Sequence, residues 1–118
     1  MSTVDIMIVD DSPIIRQKLT VMLEQIGYRV VQTAATGKEA IAAYRNQRPD
    51  LVTMDITMRE MDGFEAAREI RAIDPEARII FLSNLDEDKY SEDVKRLGAL
   101  GYVNKHNARA IIELIGKL

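Results

Sequence analysis

The sequence predicts a doubly wound α/β fold, a five-stranded parallel sheet covered by five helices. Three observations carry this expectation. Short β-branched or apolar runs alternate with segments of helical periodicity along all 118 residues. Strands that follow one another through helices pair in parallel, because a crossover is the connection that joins them. The first, third and fourth runs are almost continuously apolar, as in strands covered on both faces.

The runs are Ile6-Met7-Ile8-Val9, Arg29-Val30-Val31-Gln32, Leu51-Val52-Thr53-Met54, Arg78-Ile79-Ile80-Phe81-Leu82 and Gly101-Tyr102-Val103. Between the first two, Ile15, Leu19, Met22, Leu23 and Ile26 draw one stripe on a helix. Ser12-Pro13 reads as its N-cap followed by proline in the first turn, and Gly27 as its left-handed C-terminal stop. Ala40, Ile41 and Tyr44 predict the second helix, and Phe64, Ala67 and Ile70 the third. Arg48-Pro49 and Asp74-Pro75 break the chain before the strands that follow them. Tyr90, Val94 and Leu97 suggest a fourth helix stopped by Gly98, and Ile111, Ile112, Ile115 and Leu118 mark the last. There is no internal repeat, low-complexity segment or linker, so residues 1–118 are expected to form one domain.

Composition narrows the function. Without cysteine there is no disulfide frame, thiolate nucleophile, Fe–S cluster or thiolate zinc site. Sixteen Lys and Arg against nineteen Asp and Glu leave a formal charge of -3, a poor basis for binding a phosphate backbone. No apolar run approaches the ~18 residues of a membrane span, and Asp5, Asp10 and Asp11 interrupt the N-terminal one. The expectation is a soluble cytoplasmic protein that binds neither membrane nor nucleic acid directly.

In open α/β sheets, ligands bind beyond the carboxyl ends of the strands. The residues following the runs are therefore informative: Asp10-Asp11, Thr33-Ala34, Asp55, Ser83-Asn84 and Asn104-Lys105. Three carboxylates crowded at one edge resist ionisation unless compensated, and a hard divalent cation such as magnesium supplies that compensation. Lys105 adds a mobile cation suited to phosphate or carboxylate, and Ser83 a hydroxyl. Such a set positions and neutralises a phosphoryl group while one aspartate attacks it. Taken singly, Asp10 and Asp11 also suit a helix start, Ser83 a turn cap, Lys105 a solvated loop and Tyr102 a core strand. Their joint placement favours a site.

Asp10-Asp11, Asp55, Ser83, Tyr102 and Lys105 in register at successive strands resemble the receiver domain of two-component response regulators, of the CheY type. The resemblance spans essentially the whole chain and implies strand order 2-1-3-4-5. It implies that Asp55 is the phosphoacceptor, and that Asp10, Asp11, Asp55 and the backbone carbonyl of Thr57 hold Mg2+. By the same likeness Ser83 is the switch hydroxyl, Tyr102 the aromatic that follows it, and Lys105 the partner of the acceptor and then of the phosphoryl oxygen. Met61-Asp62-Gly63 resembles the turn that opens the third helix. The implied partners are a sensor histidine kinase or phosphotransfer protein upstream and an output domain or target protein downstream, with a phosphorylation-dependent dimer a further option. Self-phosphorylation and autodephosphorylation with magnesium are the implied chemistry, not turnover of a separate substrate.

Three positions depart from the family pattern. Arg59 stands where proline usually follows Met58, which predicts a looser loop after Asp55. Asn84 replaces a small residue and is expected to narrow the entrance beside Ser83. His106 replaces a proline normally preceded by a cis bond, leaving Lys105-His106 either trans or held cis at a cost of ~3 kcal/mol. These departures keep open a degenerate receiver that binds a partner without phosphorylation. A phosphate-ester hydrolase with an aspartyl nucleophile is less consistent, because that group shows Asp-x-Asp after its first strand. A flavodoxin-like nucleotide binder is less consistent too, because Asp10 and Asp11 would repel an anion.

Overall fold

The computed structural model describes residues 4–84 and 91–117. Five strands, β1 (Asp5–Val9), β2 (Arg29–Ala34), β3 (Leu51–Asp55), β4 (Ile79–Ser83) and β5 (Gly101–Asn104), form one parallel sheet in the order β2-β1-β3-β4-β5. The helices are α1 (Pro13–Gln25), α2 (Gly37–Asn46), α3 (Gly63–Ile73), α4 (Ser91–Arg96) and α5 (Ala108–Ile115). Tyr90 and Leu118, read as helical, lie outside the described residues, as does the acidic stretch 86–88.

The period-two alternation of the strands divides the core into two layers. Met7, Val9, Val52, Met54, Ile79 and Phe81 face α2, α3 and α4, where Ala40, Tyr44, Phe64, Ala67, Ile70 and Val94 meet them. Ile6, Ile8, Leu51, Ile80 and Leu82 face the other way, onto Leu19 and Leu23 of α1 and Ile111 and Ile115 of α5. Each fully buried aliphatic or aromatic side chain contributes ~1.5–3 kcal/mol, so this two-sided burial favours the nearly continuous apolar runs of β1, β3 and β4, which Thr53 alone interrupts before the polar strand ends.

The caps are where the sequence places them. Ser12 accepts a hydrogen bond from the Ile15 amide with Pro13 in the first turn, and Gly27 and Gly98 have φ of 99° and 67°. Thr36 and Asp62 cap α2 and α3 through the amides of Glu39 and Glu65. Strand β2 runs two residues further than its hydrophobic pattern, to Ala34. A register shift between Ile6 and Met7 bulges Val31 out of the pairing, after which Gln32, Thr33 and Ala34 pair with Met7, Ile8 and Val9.

The loop after β3 is not loosened by Arg59. The Gly63 amide donates to the Ile56 carbonyl (2.8 Å) and the Met61 amide to the Arg59 carbonyl (2.8 Å). That three-residue turn puts Glu60 at a left-handed φ of 67°.

Candidate functional site

Strand order reverses between β1 and β3, whose carboxyl ends lie side by side, so the residues after Val9 and Met54 meet. Asp10 is wholly buried and held at every polar group that its backbone and side chain offer. Its amide donates to the Ala34 carbonyl (3.0 Å) and its carbonyl accepts from Arg16 Nη1 (2.7 Å). One carboxylate oxygen accepts from the Ser12 amide (2.9 Å), and the other from Lys105 Nζ (3.2 Å). Asp11 beside it is exposed.

Asp55 closes β3 at 2% exposure. One of its oxygens lies 3.5 Å from Lys105 Nζ; the other is buried and has no hydrogen-bond partner among the described residues. Oxygens of Asp10, Asp11 and Asp55 all fall within 4.8 Å of one another. Burial pushes the Asp55 carboxyl up to about 6; the charges of Asp10 and Asp11 push the same way, and Lys105 pulls against them.

Lys105 reaches this cluster because β5 ends one residue before it. Its amide donates to the Ser83 carbonyl (2.8 Å), which continues the β4–β5 ladder past Asn104 and turns the side chain inward, where it is 7% exposed. The Lys105-His106 peptide is trans, and the ammonium still meets both carboxylates. Ser83 is buried at the end of β4, one residue beyond the Asp55–Leu82 pair. Tyr102 is half-buried on β5 opposite Phe81 and packs on the α2–α4 side of the core. Thr57 is exposed at the head of the β3–α3 loop, and His106 is exposed. Asn84 is exposed as well, its carbonyl accepting a long bond from the Asn104 side chain (3.4 Å).

Two residues escaped the sequence reading. Arg16 sits six positions beyond Asp10 on α1, where an arginine reads as a solvated face. Gly63 was placed only as part of a turn, yet a Cβ there would run into the Asp55 carbonyl oxygen. Both act on backbone atoms, which side-chain chemistry does not advertise; glycine at a helix start was the one available signal for Gly63.

Residues 6–115 match the response regulator receiver domain family. The chain is a member of that family. The receiver is 41% identical over 113 residues to a chemotaxis protein CheY of Bacillus subtilis (strain 168), covering 95% of this chain and 94% of that one. The fold matches chemotaxis protein CheY4 of Vibrio cholerae with a TM-score of 0.89 at 29% identity, over 98% of both chains. A chain in the CheX-CheY-BeF3-Mg+2 complex from Borrelia burgdorferi matches with a TM-score of 0.89 at 32% identity, over 95% of this receiver and 86% of that chain. Receivers are phosphoryl-accepting switches of two-component signalling rather than enzymes in the ordinary sense.

The donor set also suits a metal. Three carboxylates against one ammonium leave an uncompensated double negative charge, all-oxygen donors favour a hard divalent cation, and one buried Asp55 oxygen lacks a partner. The acidic cluster can therefore hold such an ion.

Proposed function

We propose that this chain, residues 1–118 as one domain, is the receiving partner of a cytoplasmic phosphorelay. The observation that carries the reading is the buried Asp55 carboxylate, with one oxygen on Lys105 and one without a partner, beside two further carboxylates. Asp10, Asp11, Asp55 and the Thr57 carbonyl would hold Mg2+, which would supply charge neutralisation for the incoming phosphoryl oxygens. An Asp55 oxygen forms a bond to phosphorus as the bond to the donor imidazole of a histidine kinase or phosphotransfer protein breaks, and that imidazole leaves with its electron pair and takes up a proton. Lys105, already 3.5 Å from Asp55, shifts its ion pair to a phosphoryl oxygen.

Ser83 then donates to the phosphoryl group and Tyr102 follows into the space on its side of β5. This favours one of two arrangements of the α4–β5–α5 face, which engages a downstream domain or target. The half-buried position of Tyr102 against the core supports this, since an aromatic already at the boundary moves inward at little cost.

The test is the intact mass of the protein after incubation with magnesium and acetyl phosphate, beside Asp55→Asn and a chelator control. One added phosphoryl group, absent from the variant and after chelation, is the expected result. Addition that persists in Asp55→Asn would overturn the assignment. A folded protein that accepts no phosphoryl group from either acetyl phosphate or a phosphorylated kinase would instead make it a phosphorylation-independent interaction module.

A further inference from the structure

The groove between α3 and α4, about 400 Å³, is lined by Arg68 and Arg71 from one helix and Lys95 and Arg96 from the other. The molecule as a whole is acidic, with a formal charge of -3. None of these four cations forms an ion pair with a carboxylate among the described residues. The acidic residues of the same helices are Glu65, Glu69 and Glu92, which are exposed, and Asp93, which is half-buried; none of them pairs with the four cations, and Asp74 at the end of α3 acts on Arg71 from beyond ion-pair distance. Arg71 is held in place: its Nη1 donates to the Ala77 carbonyl (2.7 Å), and its Nη2 lies 3.2 Å from the Cβ position at Gly98.

Helix dipoles account for part of this. Arg71, Lys95 and Arg96 occupy last turns, where cations are favoured. They do not account for Arg68, nor for cations of two helices lining one groove with no ion-paired carboxylate among the described residues. We propose that this groove is a docking site for an acidic polypeptide segment of a partner protein. The cations are spread along two helices instead of converging on one point, which suits carboxylates strung along a chain better than a single phosphate. Nucleic acid fits less well, because its continuing phosphates would meet the negative remainder of the molecule. Ala72 and Leu97 supply an apolar floor for the segment's methylenes. The inference is independent of whether Asp55 is phosphorylated.

The experiment is an NMR titration of isotope-labelled protein with hexaglutamate, hexaglutamine and inorganic phosphate in parallel. Saturable amide shifts confined to 68–72 and 95–98 with hexaglutamate alone are expected, fading near 1 M salt, where the Debye length falls to about 3 Å. Arg68→Glu combined with Lys95→Glu should weaken binding about tenfold or more. Both side chains are exposed, so the fold should survive; Arg68→Gln with Lys95→Gln, which adds no new charge, is the milder control. Absence of saturable shifts, equal shifts with phosphate or hexaglutamine, or undiminished binding by the charge-reversed protein would each overturn the proposal.

Discussion

Gly63 lies directly against the backbone of Asp55. A methyl group at Gly63 would strike the Asp55 carbonyl oxygen and crowd the Ile56 Cα at 3.0 Å, while the Gly63 amide bonds the Ile56 carbonyl at 2.8 Å. The start of α3 is thus packed against the end of β3, with backbone on both sides of the contact and nothing flexible to yield. We expect Gly63→Ala to cost about 2–3 kcal/mol and to shift the acceptor strand. Gly27→Ala is the reference: its Cβ meets open space, and only the φ of 99° is strained, for about 1 kcal/mol. Denaturant melts of the two variants should separate by that margin; equal losses would show that the contact at Gly63 relaxes at little cost.

Among the described residues, Lys105 is the one ammonium paired with the carboxylates of Asp10 and Asp55. Replacing it with methionine keeps the volume and removes the charge, leaving two buried carboxylates facing each other. The expected loss is roughly 3 kcal/mol at neutral pH, shrinking in acid as Asp55 takes up its proton. Phosphoryl uptake should fall with it. A stability loss that stays constant with pH would place the effect in packing instead of charge.

Asp55 itself should destabilise the metal-free fold at neutral pH. Its carboxyl is raised from 3.8 to about 6, chiefly by burial, so the folded state binds the proton more tightly than the unfolded chain does. The stability associated with that proton is complete below about pH 4 and is lost as pH climbs through about 6. Asp55→Asn carries no such dependence. In chelator it should exceed the parent protein by roughly 1–3 kcal/mol at pH 7 and match it near pH 4. Chemical denaturation at the two pH values checks this, and a variant less stable at pH 7 would contradict it.

Arg16 fastens the Asp10 carbonyl at 2.7 Å and so anchors the backbone that carries Asp10 and Asp11. Groups that orient metal ligands typically carry 10- to 100-fold in affinity. Arg16→Ala should weaken magnesium binding about tenfold, with partial recovery in Arg16→Lys. Calorimetric titration of the three proteins decides it. Unchanged affinity in Arg16→Ala would reduce the bond to a helix-packing detail.

Much of this was legible in the sequence because it rests on side-chain pattern. The strands announced themselves through runs such as Ile79–Leu82, whose two faces are both buried, and the cluster through acids following apolar runs. What remained hidden depends on backbone geometry or long reach. The bulge at Val31 extends β2 beyond its apolar stretch, and the turn at Glu60 closes a loop that the missing proline suggested would be loose. The Arg16 bond spans six residues and ends on a carbonyl, an acceptor that every residue possesses.

The 2.8 Å bond from the Lys105 amide to the Ser83 carbonyl ties the lysine to the terminus of β4 as well as to its own strand. The bond is made by the backbone, so it fixes where the lysine stem starts relative to the end of β4. The two strand ends are joined by that bond, so the lysine that meets Asp55 and the serine that closes β4 share one backbone anchor.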